Sequence, residues 1–143
     1  MLHPSRWALV ALLALLLALA ACGGDSGNGG EAAAPAEEQA AVLVTRDCGQ
    51  EVVVERTDVP AGQTALQALD RVADIETDSG GRFVTAVEGV EQDEEQQLAW
   101  LVYVNGEMAE TGAAEITLQA GDVEWWDLHD WDETCRVPAE ARQ

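Results

Sequence analysis

Lysine is absent from this sequence of 143 residues, and its seven basic residues are all arginine. Because a phosphate-binding P-loop needs a lysine, nucleotide-binding enzymes of that class are excluded. Acidic residues number 27, which gives a formal net charge of −20 at pH 7. A surface this acidic repels phosphate backbones and anionic lipid head groups, so we expect no nucleic-acid partner.

Long hydrophobic runs are confined to the N-terminus, where an apolar stretch of about 13 residues (8–20) follows Arg6. This length suits the core of a signal peptide and is too short for a helix that crosses a bilayer. The stretch ends in LAAC, which places Cys22 where bacterial lipoproteins accept a diacylglyceryl group. We predict a signal peptide over residues 1–21, lipidation of Cys22 and attachment to the extracytoplasmic face of the cell membrane. The alternative is an ordinary secretory signal followed by an incidental cysteine.

The segment after Cys22 has the composition of a linker. Residues 22–41 are rich in glycine, alanine and acidic residues and show no hydrophobic periodicity, which is typical of a flexible tether. Residues 42–138 are long enough for one small hydrophobic core. We therefore predict a lipidated tether over 22–41 and one folded domain over 42–138.

Two cysteines remain once Cys22 is acylated, Cys48 near the start of the domain and Cys135 near its end. In an oxidising compartment such a pair favours a disulfide that closes a long loop. The alternatives are two free thiols or a metal site shared with His129.

Histidine is scarce, because only His129 remains after the signal peptide is removed. A single histidine builds no convincing Ser/His/Asp set, and the sequence has no G-x-S-x-G motif. A lone histidine in an acidic run is more often solvated or hydrogen-bonded than bound to a metal. We predict a protein that is not an enzyme and has no catalytic residue, metal site or resident cofactor.

The first half of the domain predicts a hairpin and a helix. Apolar, β-branched runs at 42–45 and 51–55 flank a segment of turn-forming composition, which is typical of a β-hairpin. Thr64 and Gln67 have the spacing of a capping box, and apolar residues then recur at helical intervals. A helix over residues 65–75 follows from this pattern.

The second half predicts three or four more strands, with Asn105 and Gly106 as a two-residue hairpin turn. The strand candidates are residues 82–87, 98–104, 116–118 and 123–129. One helix packed on a mixed, curved sheet is a β-grasp-like α+β fold.

The last strand candidate concentrates aromatic, acidic and imidazole groups. Strand alternation places Trp125, Asp127 and His129 on one face and Trp126 on the other. If one face is core, the other exposes a tryptophan unless a loop covers it, and an exposed indole beside carboxylates can stack on a flat ligand. The alternative is that the tryptophans complete a small core. The predicted ligand-binding residues are Tyr103, Trp125, Trp126, Asp127, His129 and Trp131.

Four short segments of the domain form an ordered set: QTALQAL at 63–69, GRFV at 81–84, WLVYVNG at 100–106 and LQAGDVEW at 118–125. Together they resemble an uncharacterised bacterial family related to the C-terminal domain of transcobalamin and intrinsic factor. The aromatic-Asn-Gly hairpin followed by Gly-Asp and tryptophan is specific as an ordered set, whereas no single piece is specific alone.

The resemblance implies a β-grasp-like domain that helps to hold cobalamin or another nutrient outside the cell. The vertebrate carriers hold cobalamin between this domain and a large helical barrel, which this sequence lacks, so a corrin would have half a site unless a partner supplied the rest. We expect a surface-anchored lipoprotein that captures a cobalamin-like or other flat nutrient for a membrane transporter. The alternative is an envelope protein-interaction or structural module without a small-molecule ligand.

Overall fold

The computed structural model describes residues 38–78 and 80–142. The predicted signal peptide, Cys22 and most of the predicted tether lie outside these residues. The described strands and helix, in chain order, are β1 Gln39–Arg46, β2 Glu51–Pro60, α1 Ala65–Val72, β3 Ile75–Thr77, β4 Val84–Val87, β5 Val90–Glu91, β6 Leu98–Val104, β7 Glu107–Met108 and β8 Val123–Asp130. A 3-10 helix, Ala139–Ala141, follows β8. In the part of the chain that is described, no helix is long and apolar enough to cross a membrane.

The strands form two sheets. The larger has the order β2-β1-β8-β6-β7, and the smaller has the order β3-β4-β5. β1 and β8 are parallel, whereas the other neighbouring strands are antiparallel. Helix α1 packs on the large sheet through Ala65, Ala68 and Leu69. The predicted α+β class, with one helix on a mixed sheet, is confirmed.

The predicted β-hairpin at the start of the domain is present, although β1 begins at Gln39, three residues before the expected domain boundary. Its turn holds Asp47, Cys48 and Gly49 at φ values of 53°, 58° and 82°. A Cβ atom at Gly49 would lie 2.7 Å from Cγ of Pro138. Glycine is therefore needed here both for the left-handed backbone and for the close approach of the C-terminal segment.

The capping box predicted at α1 is also present. The side chain of Thr64 accepts from the backbone N–H of Gln67, and the Gln67 side chain accepts from the backbone N–H of Thr64. The helix ends at Val72 and does not reach Ile75 as predicted. Ile75 instead pairs with Val87 in the small sheet, so tertiary strand pairing overrides the helical periodicity.

Two of the later strand predictions need correction. The strand predicted over 82–87 begins only at Val84. Residues 116–118 form an isolated bridge, Thr117 with Thr64, where a strand was predicted. The N–H of Leu118 donates to the carbonyl of Gln63, in the loop before α1. The segment therefore lies beside a loop and, among the described residues, has no strand as its neighbour.

The central strands β1 and β8 of the large sheet are buried on both faces. Between the sheet and α1 lies the main core, which includes Val42, Leu69, Trp126 and Leu128. On the opposite face a second cluster contains Leu43, Tyr103, Trp125, Cys135 and Ala141. The C-terminal segment, defined here as residues 135–142, therefore belongs to the fold and extends the domain beyond the predicted end at Pro138.

Candidate functional site

Strand β8 shows the predicted alternation of faces, but the prediction that it exposes a tryptophan is wrong for Trp125 and Trp126. Trp125 is 0% exposed and Trp126 is 3% exposed. The C-terminal segment covers the face of Trp125, and the main core takes Trp126. Trp131, just after the strand, is 43% exposed.

Asp127 lies at the centre of a buried hydrogen-bond network on the Trp125 face. Its carboxylate accepts from the backbone N–H groups of Cys48 (3.0 Å) and Gly49 (2.9 Å) and from the hydroxyl of Thr45. Burial alone would raise the pKa of Asp127, but these bonds and one from His129 together hold that pKa below its ordinary value. The network fixes the β1–β2 turn against β8.

The imidazole of His129 joins this network and is itself 2% exposed. Nδ1 donates to the carboxylate of Asp127 (2.8 Å), and Nε2 shares a hydrogen bond with the hydroxyl of Tyr103 (3.3 Å). The ring of Tyr103 packs on Trp125 with 4.5 Å between centroids, and Trp125 Nε1 donates to Thr45 (2.7 Å). The polar groups of these buried side chains are thus hydrogen-bonded to one another. Ligand contact at Tyr103, Trp125, Asp127 and His129 stays a prediction, since burial leaves these side chains little accessible surface.

The predicted disulfide between Cys48 and Cys135 is present, across a sequence separation of 87 residues. Within residues 38–78 and 80–142, Cys48, Asp127 and Cys135 are the one group whose ligand atoms lie close enough together to hold a metal ion. The two sulfur atoms are bonded to each other in the disulfide, so neither is a thiolate that could bind a metal ion.

Glu124 is an unexpected member of the main core. It is 0% exposed and lies between Val42 of β1 and Val104 of β6. One carboxyl oxygen accepts from Nε1 of Trp126, and the other has no hydrogen-bond partner among the described residues. Burial raises the pKa of Glu124 to about 8, so the carboxyl group is mostly protonated at neutral pH.

An open cleft of about 360 Å³ lies beside β6, on the same side of the sheet as Trp126. Three stretches of the chain form its walls: residues 82–84, residues 100–102 and residues 108–113. Trp126 also lines the cleft. The lining is predominantly apolar, with Arg82 and Glu110 as its charged members.

Two large apolar side chains in this cleft are open to solvent, Phe83 at 63% and Met108 at 52%. The guanidinium carbon of Arg82 lies 5.8 Å from the centre of the Phe83 ring, a cation–π distance that helps to hold the ring in place. Exposed apolar groups that converge on a concave surface are typical of ligand sites. The sequence signal for Phe83 was the GRFV segment, whereas nothing local marked Met108.

Two of the other depressions are more polar, and a third, which includes Leu66 and Ile75, has no aromatic residue in its lining. The one along α1, of about 530 Å³, is lined by polar side chains of its exposed face. The one beside His129 also contains Asp47, Asp130 and Glu133, so its walls are acidic. The cleft beside β6 is therefore the candidate ligand site.

The comparisons with known proteins support a shared fold. Residues 62–130 match the family model described as "Domain of unknown function (DUF4430)". Solved structures that resemble the chain include a candidate metal binding protein from Ruminococcus gnavus ATCC 29149, at 23% identity and a TM-score of 0.50, over 66% of this chain and 98% of that one. Haptocorrin in complex with Cbi is similar at 16% identity and a TM-score of 0.51, over 79% of this chain and 28% of that one. No curated protein matches the chain in sequence.

Identities this low establish the fold and no more. The predicted relation to the transcobalamin-type fold is confirmed at that level, through haptocorrin. The chain spans 28% of the haptocorrin chain, so it corresponds to one part of that protein.

Proposed function

We propose that the protein is a lipid-anchored, extracytoplasmic ligand-binding module whose cleft captures a flat nutrient for a membrane transporter. The observation that carries this proposal is the cleft beside β6, where exposed Phe83 and Met108 face a predominantly apolar lining. The cleft suits a planar ligand, because the aromatic ring of Phe83 can stack on a flat surface. The flexible thioether of Met108 can adapt its conformation to ligands of different shape.

Cobalamin-like compounds are the leading ligand class. The fold is shared with haptocorrin, whose crystal structure is a complex with Cbi. A cleft of about 360 Å³ covers a drug-sized fragment rather than a whole corrin. A corrin bound here would keep one face free, and the transporter or another partner would enclose that face.

Replacing Phe83 with serine should weaken binding of such a ligand at least about fivefold, since a stacked aromatic contact contributes roughly 1 kcal/mol beyond the buried area. The melting temperature should stay nearly unchanged, because Phe83 is 63% exposed. The measurement is a titration of the mature chain in detergent with dicyanocobinamide, after a thermal-shift screen of flat nutrients.

Val52→Ser is the matched control, because Val52 is 58% exposed but lies on β2, outside the cleft. It should bind as the wild type does. Equal affinity of the Phe83→Ser and Val52→Ser variants for the tightest ligand of the screen would place the site elsewhere.

Lipidation of Cys22 is the second part of the proposal, supported by the LAAC sequence at the end of the apolar run. A Cys22→Ala variant should lose the diacylglyceryl group and be found in the soluble fraction or retained as unprocessed precursor. Mass spectrometry of the membrane fraction checks this. Recovery of the variant in that fraction, cleaved and as abundant as the wild type, would refute the anchor.

A further inference from the structure

The strand that borders the cleft has an unpaired edge. On its outer side β6 pairs with β7 only at Tyr103 and Val104, and it forms a bridge with Asp93 at Leu98. Between these points the described residues provide no neighbouring strand. Three residues lie along this gap and line the cleft: Trp100, which is buried, and Leu101 and Val102, which are half-buried.

The direction of the backbone groups in this gap follows from the bonds around it. Asn105 N–H donates to the carbonyl of Val123, and Trp131 N–H donates to that of Gln97, so odd-numbered residues of β6 face β8. Ala109 N–H donates to the carbonyl of Val102, so even-numbered residues face outward.

Three outward groups of β6 are therefore left for the cleft. In order they are the N–H of Trp100, the carbonyl of Trp100 and the N–H of Val102. The two N–H groups are roughly 7 Å apart along the strand. This donor–acceptor–donor row is the pattern that an added β-strand satisfies.

We infer that the cleft recognises its ligand through amide groups, which satisfy this open edge of β6 with acceptor, donor and acceptor in turn. The inference rests on the proposed function and names the chemical class of its ligand. Such amides belong either to carboxamide arms around a flat ring or to an extended peptide. An apolar ligand without them would leave the backbone groups of Trp100 and Val102 unpaired on burial, which is costly.

The first test is amide hydrogen exchange of the full mature chain in detergent. Without ligand, the amides of Trp100 and Val102 should exchange at least about tenfold faster than those of Leu101 and Tyr103, which face β8. Equal protection of the four amides would show that the edge is already paired, and it would overturn the inference.

Three probes then distinguish carboxamide arms from an extended peptide as the source of the amide groups. They are dicyanocobinamide, which carries primary carboxamides; a short blocked peptide of alternating threonine and valine; and the heptamethyl ester of cobyrinic acid, a corrin without amide N–H groups. Slower exchange at Trp100 and Val102 with dicyanocobinamide supports carboxamide arms. Slower exchange with the peptide supports an extended peptide as the ligand, and the proposal of a flat ligand then fails. If the ester binds as tightly as dicyanocobinamide and neither slows these amides, the cleft binds rings but the inference is wrong. If no probe slows them, the inference is also wrong.

A substitution tests the same edge. Val102→Pro removes an N–H that faces the cleft and leaves the pairing of β6 with β8 intact, because proline is tolerated at strand edges. We expect it to weaken the probe that binds by at least about tenfold. Val102→Ala, which keeps the N–H, is the control and should change affinity little. An equal loss in both variants would overturn the inference, and the exchange data on the wild type remain decisive should Val102→Pro fold poorly.

Discussion

Replacing Cys48 and Cys135 together with serine should lower the free energy of unfolding by about 4–5 kcal/mol. The disulfide spans 87 residues, and a loop of this length loses much conformational entropy in the unfolded chain when it is closed. Since small domains are stable by only about 5–15 kcal/mol, the variant should lie close to its unfolding limit.

A structural consequence accompanies this loss. Cys135 holds the C-terminal segment against Tyr103 and Trp125, and Ala141 of that segment is 0% exposed. Without the disulfide, the segment should detach more readily and expose Trp125. Urea unfolding followed by tryptophan fluorescence measures the change in stability, and quenching by acrylamide measures the exposure.

The wild type in a strong reductant is the internal control, because it should reproduce the double variant, whereas the same reductant should leave the double variant unchanged. A loss of stability below about 1 kcal/mol would contradict this prediction, since it would mean that the C-terminal segment is held by packing alone.

Stability should fall as pH rises from about 4.5 to about 8, because of Glu124. Its pKa is raised from 4.5 to about 8 in the folded protein, mainly by burial. The folded state therefore retains the proton while the unfolded state releases it. The stabilisation that comes from the retained proton is complete below pH 4.5 and is lost as the pH rises through the folded pKa. The total loss in the free energy of unfolding is roughly 5 kcal/mol.

Glu124→Gln removes this dependence while it keeps an oxygen that can accept from Nε1 of Trp126. The variant and the wild type should have similar stability near pH 5, and the variant should be several kcal/mol more stable near pH 9. The control is Glu55→Gln, at an exposed site on β2. A difference between Glu124→Gln and wild type that stays constant across this range would show that Glu124 is ionised in the folded state.

The features that the sequence predicted well are local ones. The capping box of Thr64 and Gln67 and the turn at Asn105 and Gly106 each depend on residues a few positions apart. The alternation along β8 is likewise a property of one strand, so the faces of Trp125 and Trp126 could be assigned before their burial was known.

The features that the sequence did not predict depend on distant parts of the chain. Burial of the Trp125 face requires the C-terminal segment to fold back, which no periodicity reveals. The cleft joins Phe83 to Met108 through the tertiary fold. Glu124 looks like a surface residue in the sequence, because glutamate is almost never fully buried unless it is paired.

The most direct test of the ligand cleft is the set of indole N–H signals of the tryptophans in an NMR titration with dicyanocobinamide. Trp100 and Trp126 line the cleft, whereas Trp125 is buried on the opposite face under the C-terminal segment. We predict that the signals of Trp100 and Trp126 shift on binding and that the signal of Trp125 does not. Shifts confined to Trp125 and Trp131, with Trp100 and Trp126 unchanged, would contradict the cleft and return the site to the face of β8 that the sequence first indicated.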